Sequence, residues 1–284
     1  MSEVTVRVQV VRRDHLRRRL LFFGGLAGVL ILAAFFSSSL CPYDPYEQNL
    51  AIAKAAPSAE HWLGTDRYGR DMLSRVIAGS FTSIFSTLLL VGFITVFGSL
   101  IGIFCAWSGK WIDTLIMRLA DMFLAFPGLV FALAVAAVLG GGVHNAIFAL
   151  AAISWPKYAR LARSQMLAQQ ELPYMQAAKM AGCTPLRLIC RHVVPNIAGP
   201  LLVTAMLDIG TMMMELAGLS FLGLGAKPPI PEWGSMMSDT RNLLATQPWV
   251  TLAPGFAIFL SVMIFNLLGD TVRDWLDPKN RREA

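Results

Sequence analysis

The sequence predicts an all-α, polytopic membrane protein with six transmembrane helices and a cytoplasmic helix pair between the fourth and fifth. Three observations carry this. Of its 284 residues, 55% are hydrophobic and only 15% charged, where a soluble domain carries about 25% charged residues. Six apolar runs approach the roughly 20 residues that a helix needs to cross a bilayer. Between two of them lies a polar stretch, 171–200, reading ELPYMQAAKMAGCTPLRLICRHVVPNIAGP, with four prolines and a punctuating Gly182. A polar insert between spans must lie outside the hydrocarbon.

The elements follow in order. Residues 1–19 form a basic cytoplasmic segment with Arg12, Arg13, Arg17, Arg18 and Arg19, and residues 20–284 make one transmembrane domain. The first apolar run, 20–40, exceeds the 7–15 residues of a cleavable signal core, so it reads as a retained anchor. Ser38-Ser39-Leu40-Cys41 faintly resembles a lipoprotein box, but Leu40 is too large before the cysteine. An external segment, 41–82, follows; its Gly, Asp and Thr residues suit turns and caps, and from Asp71 a short amphipathic helix leads into span two. Spans two to six are 83–107, 122–139, 145–161, 197–222 and 249–268, with Trp155-Pro156-Lys157 interrupting the fourth. The polar loop occupies about 166–196, and a second external segment covers 223–248. Pro228, Pro229 and Pro231 forbid a helix at that point.

Cations set the orientation. With both termini cytoplasmic, 18 of the 24 Lys and Arg residues fall on the cytoplasmic side and 6 outside, as positive-inside topology requires. The net charge of +6 is therefore a topology signal. No basic patch interleaved with aromatics marks a nucleic-acid surface.

Catalytic patterns are lacking. Gly109-Lys110 has neither the preceding glycine nor the following Ser/Thr of a phosphate-binding loop, and no HExxH is present. His15, His61, His144 and His192 are scattered; Cys41, Cys105, Cys183 and Cys190 lack metal spacing and read as packing residues. Residues 172–180 and 185–193 suit two short helices, with Gly182 permitting the reversal and Pro185 opening the second. In span five, Asp208 and Glu215 stand seven residues apart on one helix face, with Met212 between them and Met213 and Met214 beside it. Carboxylates and thioethers suit a divalent transition metal or its chelate. Alternatively, the methionines pack against neighbouring helices and Asp208 bonds to a backbone or Ser/Thr partner. Arg118 and Asp121 are spaced for a local ion pair, and His144 for a turn. Asp270, Arg273, Asp274 and Asp277 either brace the cytoplasmic surface or are simply solvated.

Gln176-Ala177-Ala178, Gly182 and Val194-Pro195 resemble the EAA loop of importer-type ABC permeases, with Gln176 in place of Glu and Val194 in place of Leu. His192 at the apolar position fits the peptide and nickel branch. HWLGTD at 61–66 with Gly69-Arg70-Asp71 and Ser74-Arg75, then Asp121-Met122-Phe123 with Pro127, then AGLSFLGLG at 217–225, Pro231-Glu232-Trp233-Gly234, and Gly269-Asp270 to Leu276-Asp277-Pro278 look like the C-type permease of the dipeptide/oligopeptide/nickel group, over about 42–278. Leu207-Asp208-Ile209-Gly210 with Met212-Met213 looks most like the nickel-type subunit.

That resemblance implies a bacterial inner-membrane subunit forming half of a translocation path, with no cofactor on this chain. ATP and Mg would sit on two cytosolic ATPase subunits. Gln176, Ala177, Ala178, Gly182, Pro185 and Pro195 would form the ATPase-coupling surface. A second homologous permease subunit would supply the other wall, and an external solute-binding protein would meet the segments around 61–75 and 223–248. The implied cargo is nickel or a metal chelate passing Asp208, Met212 and Glu215. The alternative is a dipeptide or oligopeptide; further alternatives are an intramembrane enzyme or an ATP-independent transporter.

Overall fold

The computed structural model describes the backbone of residues 2–276 and side chains from residue 15 onward. Asp277, Pro278, Lys279, Arg281 and Arg282, and the side chains of Arg7, Arg12 and Arg13, lie outside the described residues. The described chain is helical, with one isolated bridge between Thr65 and Asp71.

Helix α1, Ser2–Phe35, is followed by the single turn α2, Ser37–Leu40. Its apolar stretch His15–Phe35 is only 11% buried, so it is an outlying anchor against α11 and α3. Helix α3, Met72–Ser108, is one unbroken helix of 37 residues. The expected entry helix and span two are therefore a single rod of about 55 Å. Asp71 caps it by accepting from the Ser74 N–H at 2.7 Å.

The third span differs from expectation. Helices α4, Lys110–Ala125, and α5, Gly128–Val138, meet at a 95° bend. Pro127 is the cause. It pushes Phe126 into extended backbone (φ −93°, ψ 147°) and cannot continue the hydrogen-bond ladder.

Helix α6, Val143–Gln170, runs through the centre of the bundle. It packs most extensively on α3, where Gly98 and Gly102 form a GxxxG step. A Cβ on Gly102 would lie 2.1 Å from the Ala159 carbonyl oxygen, and one on Gly98 2.6 Å from that of Trp155. Small residues here let two backbones touch. Ala146, Ala149, Ala159 and Ala162 of α6 are fully buried.

Helix α7 is Pro173–Met180 and α8 is Pro185–Leu188; a π-wound turn, Ile189–Val193, joins α8 to α9, Val194–Phe221. The predicted second cytoplasmic helix thus does not stop before span five but flows into it. Helix α10, Trp233–Thr240, begins just after the prolines that forbade a helix, and α11, Pro248–Leu276, closes the chain.

Among the described residues four helices are long and apolar enough to cross a membrane, or five if the bent α4–α5 pair is counted as one span. Of the six spans expected, α6 is the exception by composition, because Lys157, Arg160 and Arg163 occupy its second half. The all-α polytopic architecture stands. Its core joins Ile94, Tyr158, Met166, Ile197, Met213 and Leu219.

Candidate functional site: the paired helices and the charged wall

The α7–α8 reversal is built by a Schellman motif. Cys183 N–H donates to Ala178 O at 3.1 Å and Gly182 N–H to Lys179 O at 3.1 Å, with Gly182 at φ +78°. Thr184 is then extended, and Pro185 occupies the first turn of α8. Met175 and Leu188 anchor the pair by full burial, while Met180 (84% exposed) and Leu186 (72%) project outward. Gln176, Ala177, Gly182, Pro185 and Pro195 are exposed and Ala178 is partly so. Pro195 offers no N–H immediately after the π-wound turn. Tyr174 accepts from Asn196 Nδ2 at 3.1 Å and bonds Gln169, tying α7 to the base of α9. The motif spacing does not mark Tyr174 or Asn196; only a polar residue at a helix base hinted at them.

Each arm of the pair leads into the bundle. Helix α6 ends at Gln170, two residues before Leu172 caps α7, and α8 is continuous with α9. Above the pair, α6 presents three cations to its neighbours. Lys157 Nζ meets Asp208 Oδ1 of α9 at 2.6 Å. Arg160 pairs with Asp121 of α4. Arg163 holds Asp113 of α4 through two bonds of 2.5 Å. Asp121 is therefore bound by Arg160, not by Arg118 as its spacing suggested, because the packed α4–α6 face brings Arg160 closer.

Asp208 is 5% exposed, and Tyr158 Oη donates to its second oxygen at 2.8 Å. Its partners are thus Lys157 and Tyr158, not a backbone or Ser/Thr group. Met212 and Met213 are buried, and Ser154 Oγ approaches Met212 Sδ at 3.9 Å. Met214 alone of the three is exposed. Among the described residues no three His, Cys, Asp or Glu side chains converge for a metal ion. Glu215 is half-buried, within electrostatic reach of Asp208 and Lys157. A groove of 1330 Å³ lies lower, between α3 and the first turns of α9, bordered by Ser99, Pro195 and Arg273. Neither Asp208 nor Glu215 lines it. Asp270 and Arg273 are exposed on the last turns of α11, and His144 sits in the first turn of α6.

The segments expected outside the membrane form a folded cap. Asp66 accepts from Arg70 Nε at 2.7 Å and from the N–H groups of Tyr68 and Arg70. Arg75 donates to Pro45 O at 3.0 Å, and His61 Nδ1 lies 2.9 Å from Asp71. Asp66, Arg70, Asp71, Ser74 and Arg75 are all buried. The motif expected to touch a binding protein is therefore largely an internal scaffold, and Trp62 (71% exposed) is its outward residue. Gly69 (φ +72°) lies so close to Asn49 that a Cβ would stand 1.7 Å from its carbonyl oxygen.

The second of these segments, 223–248, is locked in the same way. Glu232 is 2% exposed and caps α10, accepting from Gly234 N–H at 2.9 Å and Ser235 N–H at 2.8 Å. Burial pushes its carboxyl above the ordinary range, against the lowering effect of these donors and the hydroxyls of Ser220 and Ser83. Trp233 donates to Val76 O at 2.9 Å, and Arg67 pairs with Asp239 at 3.2 Å, so α10 and the first cap are joined.

Comparison with known proteins agrees with this architecture. The chain is 42% identical to the dipeptide transport system permease protein DppC of Alkalihalophilus pseudofirmus, over 88% of this chain and 82% of that protein. It is 43% identical to the probable D,D-dipeptide transport system permease protein DdpC of Escherichia coli strain K12, over 88% and 84%. It is 38% identical to the glutathione transport system permease protein GsiD of Pectobacterium atrosepticum, over 94% and 89%. A solved chain of the inward-facing MetNI methionine ABC transporter shares the fold, with TM-score 0.57 and 17% identity, over 72% of this chain and 98% of that one. A family model described as binding-protein-dependent transport system inner membrane component matches residues 98–282. With the family model and the relatives in agreement, this chain belongs to the binding-protein-dependent inner-membrane permeases of ABC importers and is a transport subunit, not an enzyme.

Proposed function

We propose that this chain forms one wall of a path for short peptides, driven by ATP hydrolysed on partner subunits. The observation that carries the ATP-driven mechanism is the exposed α7–α8 pair, whose arms lead into α6 and α9. A force on that pair reaches the Lys157–Asp208 contact through two helices rather than through a loop. The partners in this reading are a second homologous permease, two cytosolic ATPases holding ATP and Mg, and an external solute-binding protein that meets the cap near Trp62. Both termini face the cytoplasm, as the distribution of cations requires.

The cargo reading rests on the relatives, which are named for dipeptides, D,D-dipeptides and glutathione. This supports the peptide alternative over the nickel or chelate reading. The thioethers that pointed to metal also weigh less, since Met212 and Met213 are packing residues. Glu215 and Lys157 are the wall residues that the cargo would meet, with Asp208 holding Lys157 in place.

Coupling is tested by Ala178→Asp and Gly182→Arg in the complete complex. Both should abolish ATP-dependent uptake and ATPase association while leaving the amount of membrane-inserted chain unchanged. Uptake that survives both changes would contradict this role for α7–α8.

A further inference from the structure

We propose that Glu215 and Lys157 form a subsite that takes a short peptide as a zwitterion, Glu215 receiving the terminal ammonium and Lys157 the terminal carboxylate. This rests on the peptide reading above and adds to it how the wall reads the cargo.

Beyond Asp208 on α9 the exposed or partly exposed positions are Thr211, Met214, Glu215, Ala217, Gly218 and Phe221. They recur at three- and four-residue intervals, so they form one stripe that the subunit's own helices leave uncovered. Lys157 borders this stripe from α6. Its side chain is 53% exposed while that of its partner Asp208 is 7% exposed. The carboxylate is thus turned inward and the ammonium outward. An ammonium has three donors, and one is used on Asp208, so others point to the open side.

Glu215 has no hydrogen bond or ion pair among the described residues. A carboxylate at membrane depth is costly and is retained where it meets a partner or a water-filled path. Helix α5 has no ionisable side chain, and α9 has only Asp208 and Glu215. On α6, Arg160 and Arg163 are taken up by Asp121 and Asp113 of α4, which leaves Lys157, Asp208 and Glu215, and Asp208 already serves Lys157. The uncompensated charge is negative, and it sits on Glu215.

Spacing limits the ligand. Glu215 lies seven residues beyond Asp208, about 10 Å along the helix axis. An extended peptide covers about 3.3–3.6 Å per residue. Two to three residues bridge the two charges; longer peptides exceed the distance when extended. A divalent cation would use Glu215 but would leave Lys157 without a role.

The test uses the complete transporter with its binding protein, and labelled dipeptide uptake at pH 6.5 and 9.5. The quantity read is the ratio of variant to wild-type uptake at matched amounts of complex, which cancels the binding protein's own pH response. At pH 6.5 Glu215→Gln should lower uptake about tenfold, with Glu215→Asp retaining most of it. At pH 9.5 the peptide amine, with a pKa of about 8, is largely neutral, and the gap should close to less than about twofold. Glu215→Ala should show the same closing gap. A gap of equal size at both pH values, or no gap at pH 6.5, would overturn the subsite. Absence of dipeptide uptake by the wild-type complex would instead overturn the peptide reading and the subsite with it.

Discussion

Lys157 of α6 and Asp208 of α9 meet at 2.6 Å, and they join the two helices that rise from the exposed α7–α8 pair. The pair is asymmetric. Asp208 is buried and also holds Tyr158, whereas the ammonium of Lys157 is half open.

This asymmetry predicts unequal losses. Lys157→Met leaves a buried carboxylate with one remaining donor and should cost about 2 kcal/mol of stability. Asp208→Asn leaves a cation that open space can hydrate and should cost about 1 kcal/mol or less. Thermal unfolding of the purified complex measures both. Equal losses, or the reverse order, would mean that the carboxylate is not the buried partner.

Close helix contact predicts a sharp difference between glycines. Gly102→Ala drives a Cβ to 2.1 Å from the Ala159 carbonyl oxygen, whereas Gly92 has no atom within 4 Å. The first change should cost about 1–3 kcal/mol through overpacking of α3 on α6. Gly92→Ala should be neutral or slightly stabilising. The yields and melting temperatures of the two variants provide the comparison.

Glu232 gives a pH signature to the cap. Its carboxyl sits above the ordinary value of 4.5 because it is buried. The folded form therefore holds the proton more tightly than the unfolded form. Its contribution is complete at low pH and is lost as pH rises from about 4.5 through the raised value. Glu232→Gln should flatten that part of the stability profile while keeping one acceptor for the α10 cap. An unchanged slope in melting temperature against pH would show that another group dominates.

The cap scaffold predicts a division between neighbours in one motif. Asp66→Asn weakens a buried pair with Arg70 and should lower the yield of folded chain, since breaking such a pair costs about 3 kcal/mol or more. Trp62→Ala removes an outward side chain and should leave yield unchanged while weakening stimulation of the ATPase by loaded binding protein. Loss of yield in both variants would make the whole motif structural.

The reversal at Gly182, the proline-led α8 and the long apolar rods were legible because they depend on local rules. A left-handed turn needs glycine, a first turn accepts proline, and a bilayer needs length. The partners of the charged residues were not. Asp121 has Arg118 three positions away, yet it binds Arg160, 39 positions along the chain. Only packing of α4 on α6 decides between them. Helix α10 was missed because Pro228, Pro229 and Pro231 dominate its window, although Glu232 then caps the helix that follows. The bend at Pro127 had a visible signal, but the apolar run across it read as continuous. The 207–214 stretch suggested metal because sequence gives the identity of Met212 and Met213 but not which way they face.

We propose peptide transport through a path walled by α6 and α9. The most direct measurement is ATP-dependent uptake by the complete complex, with labelled dipeptide and labelled nickel, each challenged by the other. Dipeptide uptake that nickel does not compete, with no nickel uptake with or without a chelating carrier, is the predicted result. Nickel uptake that dipeptide does not compete would contradict the account and restore the metal reading of Asp208 and Glu215.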